Sequence, residues 1–102
     1  MSDKLKVLVV GKGAREHALA WKISQSYLVS DIFVAPGNGG TAQIAKNIDI
    51  PDTDISSLLD FALNEQIDVT VVGPESSLEA GIVNIFKSNG LKILGISAPE
   101  RM

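Results

Sequence analysis

Three short stretches carry residue types suited to holding an anionic ligand. The first is Gly11-Lys12-Gly13-Ala14-Arg15-Glu16-His17, a G-x-G that follows an apolar run and opens a helical pattern. At a strand-to-helix turn, free backbone N–H groups and the helix dipole favour a phosphate, and Lys12 and Arg15 add positive charge there. The same stretch fails as a dinucleotide fingerprint, because G-x-G-x-x-G requires glycine or alanine where Glu16 stands. The acid that should meet an adenosine ribose after the second strand is also missing, since Pro36-Gly37 occupies that place, and no P-loop pattern occurs. The loop therefore points to an anion site rather than to NAD, the plain alternative being glycines that serve only a tight turn.

The second stretch is Pro36-Gly37-Asn38-Gly39-Gly40-Thr41. Its glycines let backbone N–H groups come close to a sugar or phosphate, although a flexible turn explains the composition equally well. The third is Gly73-Pro74-Glu75. With Ser76 as the helix cap, Glu75 lies just outside the helix, where a carboxylate can hold ribose hydroxyls or an amine; otherwise it is a solvated loop acid near a helix N-terminus. Glu16 and His17 fall within an otherwise apolar helical arc with Leu19, Ala20, Trp21 and Ile23. Polar groups so placed need a partner. Either they touch a ligand, or Glu16 faces the helix dipole and His17 is a satisfied buried imidazole. Trp21 and the other aromatics are expected to pack.

The elements that must position these loops follow from periodicity. Leu5–Val10, Ile32–Ala35, Asp68–Val72 and Leu91–Leu94 are short, Val/Ile/Leu-rich runs that read as strands covered on both faces, and Asn47–Ile50 reads as a short strand. Ala14–Tyr27, Ile55–Gln66 and Ser76–Asn89 read as helices. Asp54 is the expected cap of the second, Ser76 and Glu79 the capping box of the third, and Asn89-Gly90 its stop. Gly37–Ala42 and Pro51–Asp54 read as loops. Alternating strands and helices predict an α/β fold, an open and mostly parallel sheet with helices on both faces and right-handed crossovers. Ligands of such sheets bind beyond the carboxyl ends of the strands, so all three loops are expected to meet at one crevice.

Composition narrows the function classes. The chain has 102 residues, 45% hydrophobic, with one histidine and no cysteine, which removes disulfide scaffolds, zinc ribbons, thiol catalysis and multi-histidine metal cages. No apolar run approaches the roughly 18 residues of a membrane span, and no signal-peptide core follows Met1, so a soluble, cytoplasmic domain without membrane partners is expected. A formal charge of −3 speaks against a nucleic-acid footprint. The charge is uneven: residues 1–51 carry +2 and residues 52–102 carry −5, which favours an anion near the first half.

Taken together, the loops resemble one family. Val7-Leu8-Val9-Val10-Gly11-Lys12-Gly13-Ala14-Arg15-Glu16-His17-Ala18 resembles the G-x-G-x-R-E-H-A segment of the phosphoribosylamine–glycine ligase (glycinamide ribonucleotide synthetase) family. Pro36-Gly37-Asn38-Gly39-Gly40 resembles its P-G-N-x-G loop, and Gly73-Pro74-Glu75-Ser76-Ser77-Leu78-Glu79-Ala80-Gly81-Ile82-Val83 its G-P-E-x-P-L-x-x-G-I-V segment. The resemblance runs in order from Lys6 to about Gly95. It implies a Rossmann-like pre-ATP-grasp domain over residues 1–95 and a truncated linker over 96–102, loose at its end. The implied enzyme is an ATP-grasp ligase of de novo purine biosynthesis. It joins glycine to 5-phosphoribosylamine through a glycyl phosphate, with ATP and Mg2+ or Mn2+. The residues implied to face the phosphoribosyl substrate are Gly11, Gly13, Arg15, Glu16, Gly37, Asn38, Gly39, Pro74 and Glu75.

Two departures are Ser77, where the family often has proline, and Gly95-Ile96 in place of Gly-Pro. The ATP-grasp domains would lie beyond Met102, so this stretch alone is expected to bind neither ATP nor metal and to be inactive. The rivals are a stand-alone Rossmann-type nucleotide module, a related pre-ATP-grasp carboxylase or formyltransferase domain against which Asn38 discriminates, and a response-regulator-like domain. The last needs clustered acids after strand one, and Gly11-Lys12-Gly13 contradicts that.

Overall fold

A computed structural model describes residues 4–96. Five strands form one all-parallel sheet in the order β3-β2-β1-β4-β5: β1 Leu5–Gly11, β2 Val29–Pro36, β3 Lys46–Asn47, β4 Val69–Val72 and β5 Ile93–Gly95. The helices are α1 Ala14–Ser24, α2 Ile55–Glu65, α3 Glu75–Glu79 and α4 Ile82–Ser88, with one turn of 3-10 helix at Thr41–Gln43. The expected Rossmann-like α/β architecture is the one observed.

Alternation along β1 and β2 explains the two layers. Leu8, Val10, Phe33 and Ala35 point to one face, where they pack with Leu58 and Ala62 of α2 and Ile82 and Phe86 of α4. Val7, Val9, Ile32 and Val34 point to the other, against Ala20 and Ile23 of α1. Both faces of the central strands are thus dry, which is why their sequences are nearly unbroken apolar runs. From β1 the chain moves outward to β2 and β3, then returns to the opposite side of β1 with β4 and β5. The order reverses between β1 and β4, so the crevice at their carboxyl ends is the topological switch point.

Several boundaries differ from the periodicity reading. The segment 76–89 is not one helix. Gly81 takes φ +86°, a left-handed conformation that cannot continue a right-handed helix, and it separates α3 from α4. Pro74, not Ser76, occupies the cap position, so Glu75 is the first helical residue and the Ser76–Glu79 capping box is not formed. Ser77 is fully buried and donates its hydroxyl to the Asp52 carbonyl at 2.5 Å. Breaking the helix after Ala80 turns this first segment independently of the second. The α1 helix stops at Ser24 rather than Tyr27, its end closed by Ser26 N–H on the Ile23 carbonyl. Strand β2 begins earlier than expected, at Val29, because Leu5 pairs with it across the sheet.

Asp54 does cap α2, accepting from Ser57 N–H at 3.3 Å. Strand β3 is shorter than Asn47–Ile50 and starts one residue sooner. Strand β5 starts later, at Ile93. Trp21 and Tyr27, expected to pack, are 52% and 80% exposed: Trp21 lies off the narrow buried stripe of α1 at Glu16 and Ala20, and Tyr27 falls after the end of that helix. Phe33 and Phe61 do pack, edge to face at 5.3 Å. Of the expected linker, Ile96 continues β5 by donating its N–H to the Val72 carbonyl at 2.8 Å; residues 97–102, expected to form a loose tail, lie outside the described residues.

Candidate functional site

The three loops meet at the switch point and are tied to one another. Gly37 N–H donates to the Gly11 carbonyl at 3.0 Å, and Asn38 Nδ2 donates to the Lys12 carbonyl at 2.9 Å, joining the second loop to the first. Arg15 Nη2 donates to the Gly73 carbonyl at 2.8 Å, joining the first loop to the third. These bonds span sequence separations of 26 and 58 residues for Asn38 and Arg15, so the sheet order alone brings their partners within reach.

Glu16 lies under this junction. It is 4% exposed, and its Oε1 accepts the Gly13 N–H at 2.9 Å, the returning half of a capping box. Its Oε2 is buried with Arg15 Nε at 3.5 Å and no hydrogen-bond donor among the described residues. Room for this side chain comes from glycines on the two strand ends. A Cβ added at Gly11 or at Gly73 would land on the Glu16 side chain. His17, on the next position, sets its imidazole against Gly40 of the second loop, where a Cβ would overlap the ring. Loop two is therefore packed against loop one through glycine as well as bonded to it.

Loop two is also closed on itself. Thr41 Oγ1 accepts the Asn38 N–H at 2.8 Å and reaches Asn47 Oδ1 at 2.6 Å, while Thr41 N–H donates to Asn38 Oδ1 at 2.9 Å. Asn47 Nδ2 donates to the Asn38 carbonyl at 2.8 Å. Thr41 is fully buried, and its polar atoms are satisfied within this set. Glycine richness suggested a flexible turn; the hydrogen bonds show a braced one. Thr41 and Asn47 were not singled out in the sequence. The pairing of Asn38 with Thr41 three residues on, a local side-chain-to-backbone turn, is the signal that marks the first of them, whereas Asn47 gives no local sign of its role.

Of the residues expected at the site, Gly11, Gly13, Arg15 and Glu16 stand at the first loop, Gly37, Asn38 and Gly39 at the second, and Pro74 and Glu75 at the third. They differ in what they offer. Glu75 is exposed on the first turn of α3, with no hydrogen bond or ion pair to its side chain among the described residues. Lys12 is exposed on the first loop. Gly39 has open space where a Cβ would stand, so no packing demand requires glycine there. Asn38 uses its amide within the loops. The first-turn N–H groups of α1 beyond Gly13 have no intrahelical acceptor and point toward the crevice end of the helix. The arrangement offers Lys12, Arg15 and N–H donors at the first loop and the Glu75 carboxylate at the third.

Two cavities of about 450 and 470 Å³ lie elsewhere, around Leu91, Lys92 and Val69 near the starts of β4 and β5; no residue of the three loops lines them. Among the described residues no three His, Asp or Glu side chains gather as a metal cluster. No helix among them is long and apolar enough to cross a membrane.

Comparison with known proteins agrees with the loops. Residues 5–100 match the family model described as phosphoribosylglycinamide synthetase, N domain. The chain is 58% identical over 96 residues to phosphoribosylamine–glycine ligase of Escherichia coli strain K12, covering 92% of this chain and 22% of that protein. It is 53% identical over 97 residues to the protein of the same name from Chlorobaculum tepidum, covering 92% of this chain and 23% of the relative. With the Haemophilus influenzae protein of that name, identity is 52% over 93 residues, 89% of this chain and 22% of the relative. The chain thus spans about 22% of the length of the curated relatives it matches. A parallel sheet in this strand order, three cross-linked loops at its switch point and a family match over nearly the whole chain agree: the chain belongs to the phosphoribosylglycinamide synthetase N-domain family.

Proposed function

We propose that this chain is the substrate-binding amino-terminal domain, residues 1–95, of a ligase that joins glycine to 5-phosphoribosylamine, and that its crevice holds the phosphoribosyl group. The observation that carries this reading is the cross-linking of all three family motifs at one switch point by Arg15 and Asn38, with Glu75 left unengaged on the rim. Phosphate is taken by Lys12, Arg15 and the first-turn N–H groups of α1, with Gly13 allowing close approach. Gly37 and Gly39 let the second loop follow the sugar. Asn38 holds that loop in place and presents the remaining lone pair of its side-chain oxygen. Pro74 sets the entry to α3 so that Glu75 faces ribose hydroxyls or the amine. Gly11 and Glu16 support the loop from beneath.

In the full-length ligase that the resemblance implies, ATP with Mg2+ or Mn2+, held outside this domain, would activate glycine as an acyl phosphate. The substrate amine attacks the carbonyl carbon, the C–N bond forms, phosphate leaves and the amine loses a proton. As the family resemblance implies, ATP, the metal ion and glycine are assigned to ATP-grasp domains of the same protein rather than to this domain. The domain's own contribution is to fix the phosphoribosyl end so that the amine meets the activated carbonyl, a gain of positioning. Its partners are 5-phosphoribosylamine and those domains, with no role for nucleic acid or membrane, in the cytoplasm.

A backbone NMR titration of the 102-residue chain with glycinamide ribonucleotide, beside NAD, tests the proposal. Shifts at Gly11–His17, Pro36–Thr41 and Gly73–Glu75 with the ribonucleotide are expected. Shifts with NAD instead, or none at these loops with the ribonucleotide, overturn it.

A further inference from the structure

We infer that Glu16 is a resident anion that sets the selectivity of the first loop for one phosphate over two. The inference rests on reading the crevice as a phosphate site and goes beyond it to what that site refuses. In the dinucleotide fingerprint the third glycine lets the helix lie directly against the sheet, and the loop's N–H groups are left for a pyrophosphate. Here the arrangement is reversed. The helix carries the bulk, as Glu16, and the strand ends carry the glycines, Gly11 and Gly73, whose missing Cβ atoms leave the space that the Glu16 side chain fills.

The carboxylate then takes the Gly13 N–H at 2.9 Å, removing one donor of the loop from any ligand. Its second oxygen is buried within the junction beside Arg15 Nε at 3.5 Å and accepts no hydrogen bond among the described residues, so the carboxylate draws on part of the Arg15 charge from beneath the loop. A single phosphate at the outer N–H groups is met by Lys12 and by the guanidinium hydrogens that Arg15 does not direct at Gly73 and Glu16. A diphosphate needs more donors and carries more charge toward the carboxylate, so the same loop disfavours it. A residue that only filled space would not distinguish the two ligands.

The test measures affinities of the 102-residue chain for inorganic phosphate and inorganic pyrophosphate, in the wild type, Glu16→Gln and Glu16→Ala. Glu16→Gln keeps the shape and an oxygen for Gly13 N–H while removing the charge; Glu16→Ala also frees the donor. The pyrophosphate-to-phosphate affinity ratio is expected to rise at least threefold in Glu16→Gln and further in Glu16→Ala. Should Glu16→Ala fail to fold, Glu16→Gln decides alone. An unchanged ratio, or no pyrophosphate binding by the folded variants, overturns the inference. A parallel titration of the wild type with ribose 5-phosphate separates the two readings. Binding there with an unchanged ratio removes the role of Glu16 alone, and a raised ratio without ribose 5-phosphate binding removes the phosphoribosyl reading alone.

Discussion

The Arg15 guanidinium holds the Gly73 carbonyl at 2.8 Å across 58 residues of sequence, and the neighbouring Glu16 carboxylate fills the space that Gly73 leaves open. Two adjacent residues at the start of α1 therefore grip the end of β4, one by a hydrogen bond and one by volume. The crevice depends on this grip, because β1 and β4 diverge beyond it into separate loops.

Arg15→Lys tests the hydrogen bond. A lysine cannot keep both the bond from Nη2 to the Gly73 carbonyl and the approach of Nε to Glu16, because it has one donor centre instead of a planar guanidinium. A half-exposed bond of this kind is expected to contribute about 1 kcal/mol, read as a small fall in the urea midpoint. Affinity for glycinamide ribonucleotide is expected to fall about tenfold, since about 1.4 kcal/mol of phosphate contact is lost with it. Calorimetric titration that gives wild-type affinity removes Arg15 from the phosphate site.

Gly73→Ala and Glu16→Ala are expected to be non-additive. The methyl of Gly73→Ala would strike the Glu16 carboxylate, an overpacking cost of about 1–3 kcal/mol. With Glu16 already truncated, the same methyl meets empty space. A double-mutant cycle in urea should therefore show a coupling of about 1 kcal/mol or more. Additive effects would mean that the two do not share this space in solution.

Asn38→Ala removes both the donor to the Lys12 carbonyl and the acceptor for Thr41 N–H. The Thr41 N–H is then unpaired at a fully buried residue, which costs about 1–3 kcal/mol. Hydrogen exchange at Thr41 should accelerate more than at the β1 core. Equal protection in wild type and variant would show that the loop is braced by other means.

Glu75→Ala is expected to leave stability within about 0.5 kcal/mol of the wild type, because the side chain is exposed and its carboxylate has no partner among the described residues. Affinity for glycinamide ribonucleotide should nevertheless drop. Thermal unfolding combined with titration separates the two effects, and unchanged affinity takes Glu75 out of the site.

Much of this architecture is legible in the residues themselves. Apolar runs ending in Gly11, Pro36-Gly37 and Gly73 mark strands that stop at loops, and alternation with helical segments gives a parallel sheet whose carboxyl edge collects them. Those signals are local, set by period and by turn chemistry, so they survive in a bare sequence. Helix ends and breaks were less legible. The apolar spacing of Leu78, Ile82 and Phe86 fits one continuous helix, and only the left-handed backbone at Gly81 separates α3 from α4. Ser77 has the same composition signal as an exposed serine, yet is buried because the Asp52 carbonyl waits for its hydroxyl.

Residue types and their spacing carry the α/β alternation, the positions of the three loops and the family pattern they share. Tertiary structure alone decided what each polar residue does: Glu16 beneath the junction, Arg15 on the Gly73 carbonyl, Thr41 and Asn47 bracing the second loop, Trp21 left outside. The physical reason is that elements follow from interactions a few residues apart. The partner of a side chain at a strand end depends instead on which strands lie side by side, and here the reversal of order between β1 and β4 sets the start of α1 against Gly73.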